Sequence, residues 1–273
     1  MAGSGPEREL WLRMVSSVII AAVTIGAIYI GGGAWTCVVA ILALVSLSEY
    51  YHMLSKRTRL SRGIGYLCSL AVLLASAAGA SYISIILTLS LSVYAIFIIE
   101  IVRRQSTAQS YAVNNVGGTL SGVLFIVVPW TCILLLRRLP TGTLILFTLF
   151  ACTWGCDVMA YAVGKTWGRN KLCDLVSPNK TWEGFIAGFL GSMLTNAAVI
   201  YLLEQPPYPL ILIGFVCGIA GQLGDLSESL VKRELGEKDS GQLIPGHGGV
   251  LDRFDSILID GLLTYLLFFG AIL

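Results

Sequence analysis

The chain has 273 residues, 56% of them hydrophobic and only 12% charged, whereas soluble domains average about 25% charged residues. That excludes an ordinary soluble domain, and a net charge of +2 leaves no electrostatic footprint for a nucleic-acid partner. The seven cysteines sit mostly inside apolar runs without zinc-type spacing, so they read as packing residues.

Apolar segments recur at 15–30, 35–54, 64–80, 83–102, 116–136, 144–163, 185–203, 210–231 and 257–273. Runs of roughly 17–25 residues suffice to cross about 30 Å of hydrocarbon as helices. The predicted fold is therefore all-α: a polytopic membrane protein with about nine transmembrane helices. Breakers separate the segments: Gly31-Gly32-Gly33, which reads as a tight turn, Leu139-Pro140-Thr141-Gly142, Ser177-Pro178 and Gln205-Pro206-Pro207. Trp11, Trp35 and Trp130 read as interfacial anchors, and His52 as an interfacial residue at the end of the second segment.

Positive loops stay on the cytoplasmic side of a membrane. With the N-terminus cytoplasmic, sixteen of the eighteen Lys and Arg residues fall inside and only Arg137 and Arg138 fall outside. The chain then divides into an N-terminal set of about five spans over 1–140 and a C-terminal catalytic region over 141–273. Two cytoplasmic loops, 164–184 and 232–256, exceed the length of ordinary connectors, and the chemistry is expected there.

An acid inside a span costs roughly 2.5–3.5 kcal/mol at the bilayer centre and is a functional candidate by default. Asp157, Asp225 and Asp260 qualify. Gly214, Gly218, Gly221 and Asp225 recur at helical spacing, a small-residue stripe that aims Asp225 into the bundle. Asp157, Tyr161, Gly164 and Lys165 share a face by the same rule. Further on, Asp252 and Asp255 would stand side by side on a helix, suited to hard divalent cations such as Mg²⁺; a helix N-terminus capped by Asp255 or Ser256 accounts for the same residues. The preceding glycine-rich stretch 241–249 could cradle a phosphate on bare backbone N–H groups or simply be flexible. Lys232, Arg233, Lys238 and Arg253 surround it, with Lys165, Arg169, Lys171 and Lys180 in the other loop. His247, between glycines, suits a hydrogen bond to phosphate or acid better than a zinc site. Metal-binding acids and phosphate-binding cations without a nucleophile–base pair suit phosphoryl or nucleotidyl transfer. An acceptor that is already a phosphate, with a second pKa of about 6, needs no general base.

The run from Ser229 through Lys232-Arg233, Lys238-Asp239, Gly241, Pro245 and His247-Gly248-Gly249 to Asp252-Arg253 and Asp255 resembles the signature of phosphatidate cytidylyltransferases, also called CDP-diacylglycerol synthases. A second block from Asp157 through Lys165, Arg169 and Lys171 to Lys180-Thr181-Trp182-Glu183-Gly184 is also similar to that family. Asn179 stands where the family more often has a second lysine, which shifts a phosphate contact toward Lys180. The resemblance covers roughly residues 150–260. It implies transfer of a cytidylyl group from CTP to phosphatidate with Mg²⁺, at a cytoplasm-facing cavity of the bacterial inner membrane, in a homodimer. Asp225, Asp252 and Asp255 would hold the metal, leaving open a second metal or a monovalent cation. Lys232, Arg233, Lys238 and Arg253 would bind phosphates with Lys165, Arg169 and Lys180, while Asp239 and His247 would either orient them or touch the nucleotide. Two other readings use the same residues: a CTP-dependent lipid-alcohol kinase, which would need a base for its hydroxyl acceptor, and a transporter, which would place polar groups near the midplane of several spans.

Overall fold

The structure, a computed structural model, describes residues 6–244 and 248–270. Among them the chain forms nine helices: α1 (Pro6–Ile30), α2 (Gly32–Leu54), α3 (Arg62–Ala78), α4 (Tyr82–Thr107), α5 (Ala112–Leu136), α6 (Gly142–Trp167), α7 (Trp182–Leu202), α8 (Tyr208–Leu235) and α9 (Leu251–Gly270). The predicted all-α membrane fold holds, and each apolar segment falls on one of these helices. The number of crossings is less uniform than predicted. Six helices (α2, α4, α5, α6, α7 and α8) are long and apolar enough to cross a membrane by length and composition. Helix α3 has only 17 residues, the apolar described part of α1 is Val18–Ile30, and α9 carries Asp252, Arg253, Asp255 and Asp260 in its first ten residues.

The loop predicted at 164–184 is shorter than expected, because α6 continues to Trp167 and α7 begins at Trp182. Between them β1 (Lys171–Cys173) pairs antiparallel with β2 (Ser177–Thr181), Lys171 opposite Thr181 and Cys173 opposite Ser177. Thr181 then caps α7, its hydroxyl accepting from the Gly184 N–H at 3.2 Å, the role that a β-region Thr at a helix start favours. The loop predicted at 232–256 shrinks likewise. Helix α8 runs to Leu235 and ends on Gly236 in the left-handed region at φ +77°, which glycine enters without a Cβ penalty. Lys232 and Arg233 thus occupy the last turn of a helix, where cations complement the negative end of its dipole.

Side chains of α2, α5, α6, α8 and α9 build the core, with Trp35, Tyr51, Ile133 and Ile145 fully or almost fully buried. Lipid tails are as apolar as leucine, so close packing, not exclusion of water, must hold such helices together. Small residues supply it where α6 meets α7. A Cβ on Gly191 would stand 2.8 Å from the Gly155 carbonyl, and one on Gly184 would stand 3.2 Å from Gly164 Cα. Trp35 and Trp130, expected at the interface, are buried with their indole N–H groups unpartnered. They fill the core instead, and Trp130 packs on Phe254 with ring centroids 5.2 Å apart.

The glycine stripe of α8 does not stay on one face. Cys217–Gly221 forms a π-helical turn, and the extra residue in that turn rotates the remainder of the helix about its axis. Gly214 and Gly218 pack on Asn196 and Phe189 of α7, whereas Gly221 and Gly224 pack on Asp260 and Ile259 of α9. The carbonyl of Gly218, inside the widened turn, accepts from Gln222 Nε2 at 2.7 Å.

Arg137 and Arg138, the two exceptions to the charge bias, both serve helix ends. Arg137 Nε donates to the Ile28 carbonyl at 2.9 Å, and Arg138 donates to the Ala77 carbonyl. These are among the last carbonyls of α1 and α3, which have no partner within their own helices.

Candidate active site

Helices α6, α8 and α9 and the β2–α7 junction enclose a cavity of about 780 Å³, within the range of small-molecule sites. From α6 come Asp157, Tyr161 and Lys165, the face expected from their spacing. Lys180 enters from β2, Asp225 and Lys232 from α8, Asp239 from the following loop, and Asp252, Arg253 and Asp255 from α9. These ten sequence-predicted residues therefore meet in one place although up to 98 positions separate them.

The acids and cations are already matched. Lys180 Nζ lies 2.8 Å from Asp225 Oδ2 and donates to the Gln222 carbonyl at 3.2 Å. Ser229 Oγ donates to Asp225 Oδ1 at 3.2 Å. Deeper down, Lys232 Nζ bridges Glu228 at 2.5 Å and Asp252 at 2.7 Å. Glu228 is 1% exposed, so this three-membered ion cluster is largely out of water. Removing one member of such a cluster leaves an uncompensated buried charge.

Asp252 and Asp255 both line the cavity but meet different partners. Asp252 turns to Lys232 with one oxygen. With the other it accepts from Ser240 N at 2.9 Å, Ser240 Oγ at 2.9 Å and Gly249 N at 2.8 Å. Asp255 faces the charges of Asp225, Glu228 and Asp157, and its Oδ1 accepts from Ser256 N at 2.7 Å. Among the described residues no three His, Cys, Asp or Glu side chains are gathered into a cage for a metal ion. The donors facing the cavity are nonetheless carboxylate oxygens, the ligand type of hard divalent cations.

At the end of the glycine-rich stretch and just beyond it, three backbone N–H groups are already engaged by carboxylates. The N–H of Gly249 goes to Asp252, while those of Val250 and Leu251 go to Glu49 at 2.9 and 2.8 Å. His247 lies outside the described residues.

Three predicted residues stand away from the cavity lining. Arg233 Nε donates to the Val176 carbonyl at 3.3 Å and its Nη1 to the Glu237 carbonyl at 3.0 Å, bracing the hairpin against the loop. Lys238 is exposed. The Arg169 backbone N–H donates to Glu183 at 3.1 Å, and Glu183 also accepts from Asn170 Nδ2 at 2.7 Å, which closes the loop between α6 and α7.

Three acids inside apolar helices were not singled out by the sequence reading: Glu49, Glu100 and Glu228. The rule that selected Asp157 and Asp225 applies to them equally. Glu100, 2% exposed, accepts from Asn115 Nδ2 at 2.7 Å and Tyr111 N at 2.8 Å and pairs with Arg103. It does not line the cavity and ties α4 to α5.

Residues 11–270 match the model of the cytidylyltransferase family. The phosphatidate cytidylyltransferase of Brucella abortus is 32% identical over 269 residues, covering 97% of this chain and 94% of that protein. Its counterpart from Synechocystis sp. is 47% identical over 131 residues, 47% of this chain and 44% of that protein. The Staphylococcus aureus phosphatidate cytidylyltransferase is 47% identical over 111 residues, 40% of this chain and 43% of that protein.

Proposed function

This integral membrane protein belongs to the cytidylyltransferase family and is a nucleotidyltransferase, and from that premise we propose that it transfers the cytidylyl group of CTP to phosphatidate at the α6–α8–α9 cavity. In the proposed step an oxygen of the lipid phosphate bonds in line to the α-phosphorus of CTP. The bond from that phosphorus to the β-phosphate oxygen breaks, and pyrophosphate leaves with its electron pair. The products are CDP-diacylglycerol and pyrophosphate. No proton has to be removed from the attacking dianion, which accords with the lack of a nucleophile–base pair among the described lining residues.

The observation that carries this reading is the balance of charge in the cavity. Its described lining holds five cations (Lys165, Lys171, Lys180, Lys232, Arg253) and five acids (Asp157, Asp225, Asp239, Asp252, Asp255). Such a site has little net attraction for a triphosphate by itself, and it suits one that arrives with a divalent cation. Asp225 and Asp255 are the residues we assign to Mg²⁺, with Asp157 nearby; Asp252, with both oxygens engaged, would hold Lys232 and the loop in place. Bound there, Mg²⁺ would neutralise charge on the phosphates and the leaving group. Lys180 would release Asp225 to the metal and turn to phosphate, Lys165 and Arg253 would bind phosphate oxygens from opposite walls, and Asp239 would orient the cations at the mouth. Arg233 and Lys238 are assigned to the loop that shapes the mouth, and Arg169 to the α6–α7 connection. We place the protein in the bacterial inner membrane with the cavity facing the cytoplasm.

Dimerisation is a proposal of its own. The small-residue pair Gly184 and Gly188 faces α6, where added Cβ atoms would meet Gly164 and Ala160, so it serves contact within the chain. The mass of the purified protein–detergent particle decides between one copy and two.

The functional test follows labelled CTP into organic-extractable lipid with the full-length protein in detergent. Label should appear only with phosphatidate and Mg²⁺ and fall at least a hundredfold in Asp225→Asn. Label transferred instead from γ-labelled CTP to a lipid alcohol would make the protein a kinase. No transfer to any acceptor by folded protein would overturn the enzymatic reading and favour a transporter.

A further inference from the structure

The loop that carries Asp239 and leads into α9 is held from the other half of the molecule. Glu49 stands on α2, 8% exposed, and does not line the cavity. Its Oε1 accepts from Val250 N at 2.9 Å, its Oε2 from Leu251 N at 2.8 Å, and Ser240 Oγ lies 3.2 Å from the same Oε2. Ser240 Oγ also lies 2.9 Å from Asp252 Oδ2, so one hydroxyl stands between two carboxylates that grip the loop from opposite sides. The backbone comes close to make this possible: a Cβ on Gly241 would stand 2.7 Å from Glu49 Oε1, and one on Gly249 would stand 2.6 Å from Oε2.

Resting on the cytidylyl-transfer reading, we propose that Glu49 is a positioning residue for the cavity, which fixes the start of α9 and thereby the directions of Asp252, Arg253 and Asp255. The physical argument is one of donors and acceptors. The first N–H groups of a helix have no partner within it, and here two of those at the entry to α9 bind a carboxylate from outside the helix. A carboxylate is acceptor-only and can serve both at once, whereas the amide of glutamine presents one acceptor and one donor group. Glu49→Gln keeps the volume and sets an N–H against an N–H. The start of α9 must then shift, and small displacements of positioned groups cost large factors in rate.

The experiment combines hydrogen–deuterium exchange with kinetics on the full-length protein in detergent, comparing wild type, Glu49→Gln, Ser240→Ala and the double variant. In Glu49→Gln, exchange at Val250 and Leu251 should accelerate at least tenfold while α6 and α7 are unchanged. The kcat for transfer from CTP should fall at least tenfold with KM for CTP within threefold. The losses of the two single variants should not multiply in the double variant, because both act through one hydroxyl-bridged clamp. A Glu49→Gln protein with kcat within twofold of wild type overturns the proposal, as does faster exchange spread through α2 and α6, which marks a general loss of fold. Should Glu49→Gln not fold, Ser240→Ala carries the same readouts. If wild type transfers no label at all, the cytidylyl-transfer reading fails, and the exchange pattern alone then decides for or against the clamp.

Discussion

Buried polar residues decide the local geometry of this protein, and each has a checkable energetic consequence. Asn115, fully buried, donates to Glu100 at 2.7 Å and to Ser61 Oγ at 2.9 Å while accepting from Ser61 N at 2.7 Å. Truncating it leaves Glu100 and Ser61 without those partners in a dry site, a cost of about 1–3 kcal/mol. Asn115→Ala should lower stability by that amount in reversible unfolding from detergent micelles, with the cavity untouched. The Lys232 cluster should be more sensitive. Lys232→Met leaves Glu228 and Asp252 facing each other without their cation, and breaking a buried ion group in this way costs about 3–5 kcal/mol. A mutation there that abolishes activity therefore has to be accompanied by a stability measurement, whereas Lys180, 23% exposed in its ion pair with Asp225, should give up activity with a change in stability of under about 1 kcal/mol. Among the acids of the cavity, Asp252 and Asp255 were legible in the sequence because of their spacing and Asp239 only through the family resemblance, whereas Asp157 and Asp225 were legible because an acid in an apolar run announces itself. The same signal marks Glu49, Glu100 and Glu228, and what separates the two groups is the partner each meets across the fold, which spacing along the chain does not contain.

Helices α6 and α7 meet along glycines, and that contact sets one wall of the site. A Cβ on Gly191 would lie 2.5 Å from Met159 Cγ and 2.8 Å from the Gly155 carbonyl. The methionine can move but the carbonyl cannot, so Gly191→Ala should force the helices apart at a cost of about 1–3 kcal/mol. Lower activity together with a lower melting temperature is the expected outcome, and unchanged values for both would show that the helices can separate there at no cost. The helices themselves were readable from hydropathy, since every apolar segment became one. Their ends were less so. Predicted loops lost residues to α6, α8 and α9 because charged side chains continue a helix readily once it leaves the apolar layer. The α8 stripe leaves its expected face for a different reason: the π-helical turn at Cys217–Gly221 breaks the regular 3.6-residue period, and nothing in that segment except its two glycines hints at the widening.

Across the whole molecule, sixteen of the eighteen basic residues fall toward one end under the N-inside arrangement, the charge bias behind the proposed cytoplasmic placement of the cavity. The chain carries its own probe of this. Cys173, on the hairpin, is exposed, as is Cys37 on α2, while the other five cysteines are buried. In a Cys37→Ser background, a membrane-impermeant maleimide should leave intact cells unlabelled and label inverted membrane vesicles at Cys173. The reverse pattern would turn the protein over. Function was legible at this scale only over the C-terminal half, where charged residues cluster in sequence; the participation of α2 through Glu49 depends on a tertiary contact across 202 positions.

Arg137 and Arg138, on the opposite side in the proposed orientation, bear on how such a protein enters a membrane. Arg137 and Arg138 lie against the carbonyl ends of α1 and α3, where a helix presents roughly half a negative charge. Their positive charge is thus largely answered by neighbouring backbone once the bundle has assembled. Before assembly it is not, and in the proposed N-inside orientation two bare guanidinium groups would be carried across with the α5–α6 connection. The energetic return for that passage comes only when α1 and α3 are already in place to receive them, so the order of insertion along the chain and the order of helix docking are coupled at this corner: the hairpin of α5 and α6 arrives at a site that its predecessors have prepared.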